Sequence, residues 1–245
     1  MKKILILGAT SAIAMACARR WVGQEAAFFL VGRTAEKLSQ VANDLIAHGS
    51  TVHTHVLDLN HFDKHTEMLE ACYATLGQVD IAIVAHGTLP VQKACELDAS
   101  LAAQEFTNNG LSVIALLSDL ANRMEPQKHG CIAVISSVAG DRGRPSNYLY
   151  GSAKSAVSTF CSGLRARLFK AGVHVLTIKP GFVDTPMTQG LVLPKLLLAT
   201  PDKVAQDIVR AVEKRRDTLY TPWFWRYIML IIIHIPGVIF KRMGL

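Results

Sequence analysis

Short apolar runs alternate with longer mixed stretches from one end of this chain to the other, and the alternation reads directly as elements. Compact β-branched and apolar runs predict strands over 3–7, 26–32, 51–57, 79–85, 130–136 and 173–179, with a short one at 218–221. Between them, helical spacing of apolar positions predicts helices near 12–23, 35–48, 61–76, 99–125, 148–171 and 202–215. Strand followed by helix, repeated, is the pattern of βαβ units, so the expected fold is α/β: a doubly wound parallel sheet with helices on both faces.

In such sheets ligands bind beyond the carboxyl ends of the strands, near the point where the strand order reverses. Gly8, Asp58, Gly87, Ser137 and Pro180 each fall just after a predicted strand, so five separate segments converge on one edge. A length of 245 residues with 50% hydrophobic content suits one Rossmann-type domain, expected over 1–221, with 222–245 as a hydrophobic helical extension of it. The opening Met1-Lys2-Lys3 precedes an apolar run of only four residues, too short for a secretory core, and reads as a buried first strand.

Five cysteines at 17, 72, 95, 131 and 161 have no short pairing and no metal-type spacing, which suits reduced thiols in a cytoplasmic protein. His61 and His65 lie four apart without a third clustered ligand, so no metal site is expected and the pair reads as a solvated helix start. The net charge of +7 is spread without an aromatic-studded basic stripe, which argues against nucleic acid and leaves anionic substrates or membrane surfaces open.

The chemistry concentrates in 136–154. Tyr150 and Lys154, four apart at a helix start, share one face. A free phenol titrates near 10 at about 1.4 kcal/mol per unit, so bringing it to neutrality takes roughly 4 kcal/mol of charge stabilisation, within reach of a fixed ammonium and a bound cofactor. With the hydroxyl of Ser137 holding a carbonyl oxygen, Tyr150 can give or take its proton. The pair by itself is no more than an exposed helix couple; the rest of the chain gives it weight.

The turn Gly8-Ala9-Thr10-Ser11-Ala12-Ile13-Ala14 joins strand to helix. There Gly8, Thr10, Ser11, Ala12 and Ile13 can present helix N–H groups to a phosphate. Alanines 12 and 14 stand where the dinucleotide fingerprint has its later glycines, and alone this turn is no different from an ordinary β–α connection. The second strand ends at Arg33, with no carboxylate before Glu36. An arginine there favours the 2′-phosphate of NADP(H) over NAD(H), unless it is a surface charge.

With these motifs in place the chain resembles the short-chain dehydrogenase/reductase family through about residue 221. Gly8 matches the family's first cofactor-loop glycine, Asp58-Leu59 its adenine-contacting segment, and Gly87 the last glycine of its Asn-Asn-Ala-Gly segment. Asn109, with Asn108 as the alternative register, matches the asparagine that holds a water in a proton relay; Ser137, Tyr150 and Lys154 match the catalytic residues. Pro180, Gly181, Val183 and Thr185 fall in the segment that binds the nicotinamide carboxamide and neighbouring phosphate. The resemblance implies ketone reduction by hydride transfer, Tyr150 supplying the proton, Lys154 binding the ribose and lowering the phenol pKa, and Ser137 orienting the carbonyl. His86 replaces a small residue of that segment and reads as a packed, hydrogen-bonded histidine or as a ribose or substrate contact.

Two features bear on the substrate. Arg142 and Arg144 lie in the loop between Ser137 and Tyr150, where they can grip a phosphate or carboxylate or stay solvated. After Pro222, an apolar stretch with Trp223, Trp225 and Tyr227 at one end and Lys241-Arg242 at the other is broken by Arg226, His234 and Pro236. It is too interrupted to span a bilayer. It suits helices lying on a membrane surface through 222–242, a cap over the substrate pocket, or an oligomer interface.

The tail and the arginine-rich loop together resemble the branch of decaprenylphosphoryl-2-keto-pentose reductases. That likeness implies a lipid-linked keto-sugar, a partner oxidase, and a place at the inner face of the cytoplasmic membrane. A homo-oligomer is expected. The competing readings are a reductase of 3-oxoacyl or fatty ketones and, in another class, a cofactor-binding scaffold with little catalysis.

Overall fold

The computed structural model describes residues 1–243. Its strands are β1 (Lys2–Leu7), β2 (Ala26–Gly32), β3 (Thr51–Val56), β4 (Ile81–Val84), β5 (Cys131–Ile135), β6 (His174–Pro180), β7 (Phe182–Val183), β8 (Leu198–Ala199) and β9 (Thr218–Thr221). The seven expected from the sequence form one parallel sheet in the order β3-β2-β1-β4-β5-β6-β9, and β7 pairs with β8 in a separate ribbon. The order runs outward from β1 in both directions, so the reversal lies between β1 and β4. Register brings the strand ends level: Leu7 stands opposite Val31 and Val84, and Val84 opposite Val134.

The helices are α1 (Ala12–Trp21), α2 (Ala35–Ala47), α3 (His65–Leu76), α4 (Gln92–Leu97), α5 (Ala99–Phe106), α6 (Ser112–Gln127), α7 (Tyr148–Phe169), α8 (Pro201–Glu213), α9 (Trp225–His234) and α10 (Gly237–Phe240). Strand alternation sorts the core into two layers. Ile4, Ile6, Phe28 and Leu30 face α1, α2 and α8, while Leu5, Leu7, Phe29 and Val31 face α3, α6 and α7. Because both faces are covered, β2 can be apolar at every position and all seven of its residues are buried.

The expected helix over 99–125 is interrupted. Asp98 caps α5 by accepting from Ser100 N and Leu101 N, and residues Thr107–Leu111 form a π-helical turn before α6 resumes. Asn108, Asn109 and Gly110 are weak helix formers, and the widened turn lets Asn109 point inward, fully buried. The expected solvated start at His61 and His65 needs correction. His61 is exposed, but His65 is fully buried, its Nε2–H donating to Leu59 O at 2.9 Å, so this histidine fixes the loop after β3.

In the tail, α9 begins three residues after Pro222, and Pro236 separates α9 from α10. The last two residues of the expected 222–245 extension lie outside the described residues.

Candidate active site

A cleft of about 500 Å³ opens at the carboxyl edge of the sheet. From the first turn Gly8, Thr10, Ser11, Ala12 and Ile13 reach it; Arg33 follows β2, Asp58 and Leu59 follow β3, and Gly87 follows β4. Asn109, Ser137, Arg144, Tyr150 and Lys154 line its middle, and Pro180, Gly181, Val183 and Thr185 its far wall. Of the residues expected to bind cofactor or substrate or to take part in the reaction, Arg142 is the one that does not line the cleft.

The turn at Gly8 is shaped by two demands. Its φ is +82°, and a Cβ there would stand 2.6 Å from His86 N, so the end of β4 presses onto it. Ser11, the N-cap of α1, makes no side-chain cap bond, which leaves the helix N–H groups for an anion. Ala14 is fully buried against the core, so the methyl at this position packs inward and does not obstruct the cleft. These residues fit a dinucleotide: amides for phosphate, exposed Arg33 at the end of β2 and partly exposed Asp58 at the end of β3.

Ser137 caps the short turn 138–140, its Oγ accepting from Ala139 N at 3.1 Å, and it also hydrogen-bonds the Tyr150 side chain. The turn lies directly on α7: a Cβ at Gly151 would be 2.7 Å from Ala139 O, so only glycine lets loop and helix touch and brings Ser137 over Tyr150. The N-terminus of α7 is held from outside, because Leu149 N donates to the buried Gln92 Oε1 at 3.0 Å. Gln92 was invisible to periodicity, since α4 is too short to register.

Burial pushes the Tyr150 phenol up to about 12, the bond to Ser137 pulling the other way, so the group carries its proton at neutral pH. Lys154 is brought down to about 8, first by burial, with Cys161 opposing. Its Nζ sits 5.6 Å from the centre of the Tyr150 ring and donates to Ile135 O at 3.3 Å. His86 donates Nε2–H to Ser112 Oγ at 3.0 Å, whose own proton goes to Asn108 O; burial, then the charge of Lys154, depress its pKa to about 3. It is packed and hydrogen-bonded, and it also lines the cleft.

The paired arginine grip is not what the structure builds. Arg142 donates to Ile233 O at 3.0 Å and Ile235 O at 2.7 Å, also reaches Ile232 O, and stacks 3.7 Å from the centre of the Phe240 ring. The carbonyls at the end of α9 carry the partial negative charge that suits a guanidinium. Arg144 remains at the cleft, its Nε buried without a hydrogen-bond partner. Neighbouring Asp141 accepts from Lys179 Nζ at 2.5 Å and Tyr220 OH at 2.8 Å, and Val138 packs on Trp225 and Met229. The loop carrying Ser137 is thus fastened to the tail.

The family model for short chain dehydrogenases matches residues 2–195. The chain belongs to that family. It is therefore an NAD(P)-dependent oxidoreductase, and the scaffold reading is set aside. It is 34% identical over 241 residues to an uncharacterised oxidoreductase of Mycobacterium tuberculosis, covering 98% of this chain and 96% of that one. An uncharacterised oxidoreductase of Streptomyces coelicolor is 33% identical over 250 residues, covering 99% and 96%. Among solved structures, a short chain dehydrogenase/reductase family protein superposes with a TM-score of 0.77 at 27% identity, covering 89% of this dehydrogenase and 94% of its own chain.

Proposed function

We propose that this short-chain dehydrogenase reduces a ketone to a secondary alcohol with NADP(H), Tyr150 being the proton donor. The observation that carries the reading is the meeting of Ser137, Tyr150 and Lys154 around one point of the cleft, with burial keeping the phenol protonated. When bound, the nicotinamide supplies the hydride for the carbonyl carbon. Ser137 Oγ–H holds the carbonyl oxygen; as charge develops there, the Tyr150 O–H bond breaks and its proton forms the alcohol O–H. The phenolate left behind is stabilised by the Lys154 ammonium, and Asn109 beside Lys154 serves the return of a proton from solvent. Arg33 contacts the 2′-phosphate.

For the substrate, the reading is a ketone on a lipid-linked sugar, delivered by a partner oxidase at the inner face of the cytoplasmic membrane. The tail supports it. No Asp or Glu occurs between Asp184 and Asp202 or after Asp217, whereas Lys195, Arg226, Lys241 and Arg242 do. In the same segments Val192, Leu196 and Trp223 are 102%, 94% and 70% exposed. An apolar surface edged only by cations matches an anionic bilayer surface. Among the described residues no helix is long and apolar enough to cross a membrane.

A second reading, reduction of a 3-oxoacyl or fatty ketone, is favoured by the loss of Arg142 from the cleft and by the apolar Met187, Leu89 and Leu191 on its walls. Assembly with further copies completes the proposal. The deciding experiment is NADPH oxidation with keto-sugar phosphates, 3-oxoacyl thioesters and simple ketones, with and without anionic vesicles. Turnover of the sugar series alone supports the first reading, and turnover of thioesters alone replaces it by the second.

A further inference from the structure

Glu105, in the last turn of α5, has its carboxylate drawn inward to Thr88, the first residue after Gly87. Thr88 Oγ1 lies 2.5 Å from Glu105 Oε2, 2.8 Å from Asn108 Nδ2 and 3.1 Å from Asn109 Nδ2. Both amide nitrogens can only donate, so they fill the acceptor sites of the hydroxyl, and its single proton goes to the carboxylate. Glu105 therefore fixes the direction of the cluster. With its nitrogen turned toward Thr88 Oγ1 and Glu105 O, the latter at 3.0 Å, Asn109 presents Oδ1 to the other side, where it accepts Thr88 N–H at 2.9 Å.

That oxygen stands beside the lysine. A Cβ built on Gly87 would lie 2.8 Å from Asn109 Oδ1 and 3.5 Å from Lys154 Nζ, so amide oxygen and ammonium flank one glycine. Asn109 is fully buried and Lys154 is 3% exposed, so beside Ile135 O, which accepts from Nζ at 3.3 Å, the orientation of this amide contributes to the polarity around the charge. The other titratable groups facing Lys154 are Tyr150 and Cys161 on α7 and His86 from the end of β4.

We propose that Glu105, acting through Thr88 and through its own bond from Asn109 Nδ2 at 3.4 Å, is a positioning residue that steadies the Asn109 amide with its oxygen toward Lys154. The inference rests on Lys154 and Tyr150 serving the reaction. Without the carboxylate, the Thr88 proton is released and the amide keeps only its backbone bonds, from Thr88 N–H and to Glu105 O, so its oxygen is held less firmly toward the ammonium and the charged form is disfavoured.

The test compares wild type, Glu105→Ala, Glu105→Gln and Thr88→Val in the full chain. The titration of Lys154 is followed by its ¹³Cε signal in lysine-labelled protein, and kcat against pH is measured on a ketone that the wild type reduces. Glu105→Ala and Thr88→Val are expected to move the lysine titration to lower pH by about half a unit or more. Each should lower kcat about tenfold with the alkaline limb shifted the same way, while the NADPH Kd stays within about twofold. Glu105→Gln, whose carbonyl still accepts the Thr88 proton, should retain kcat within about threefold. An unmoved lysine titration in Glu105→Ala overturns the inference, whatever happens to kcat or thermal stability. A shifted titration in a protein whose wild type reduces no ketone instead overturns the reductase reading and leaves the positioning intact.

Discussion

The two ends of the cleft are built by different rules. On the β1–β4 side the sheet edge rests on two complete core layers, and Asn109, Lys154 and Ser136 are buried with hydrogen-bond partners. On the tail side only Trp225 and Met229 of α9 are buried, against Val138, while Tyr227, Leu230 and Ile231 face outward. The first region is closed on itself, so its geometry is set by folding alone. The second is half a core, ordered by a few polar fasteners from the loop that carries Ser137.

The largest effect belongs to the closed side. Tyr150→Phe should lower kcat for ketone reduction by about a thousandfold or more while NADPH binding holds, because the acid is lost and the packing is not. Fluorescence titration beside steady-state kinetics reads both; residual turnover within tenfold of wild type removes Tyr150 as the acid.

Lys154→Met comes next and has two signs. It should cost about a hundredfold in kcat, yet stabilise the fold at pH 7, since a buried charge disappears. A folded pKa of about 8 against an ordinary 10.5 corresponds to roughly 3 kcal/mol. Because the folded value is the lower one, the unfolded chain binds more protons between pH 8 and 10.5, and wild-type stability rises through that window. The advantage of the variant in urea midpoint should therefore be full below about pH 8 and shrink toward pH 10.5. A constant difference across that range would place the charge in better company than the structure shows.

Arg33→Ala sharpens the cofactor assignment at smaller cost: NADPH affinity should fall about tenfold, roughly 1.4 kcal/mol, and NADH affinity by less than twofold. Equal losses for both would leave the 2′-phosphate contact without support. The smallest effect tests the fasteners. Arg142→Ala should speed proteolysis within 233–243 and lower the thermal midpoint by a few degrees, about 1–2 kcal/mol, with NADPH affinity unchanged.

The same contrast explains what the chain let one read in advance. Strands β1, β2, β4, β5 and β6 are buried on both faces, so their apolar runs mark them, and the residues just after them can only meet at one edge. Ser137, Tyr150 and Lys154 were legible because helical spacing and strand ends are local signals. Arg142 was not, because its partners are carbonyls some ninety residues away, exposed only by where α9 happens to stop. Glu105 and Gln92 were hidden for a related reason: their roles are hydrogen bonds to a loop and to a helix end, which leave no period in the sequence.

One contact in the tail reaches beyond stability. The Trp225 indole lies so close over Gly181 that a Cβ there would overlap its Nε1. Positions 181 and 225 are consequently tied in the history open to this protein. A side chain at 181, in the wall of the cleft, becomes accessible only to a lineage that has first given up the indole. New specificity along that wall would have to begin with a change in the tail.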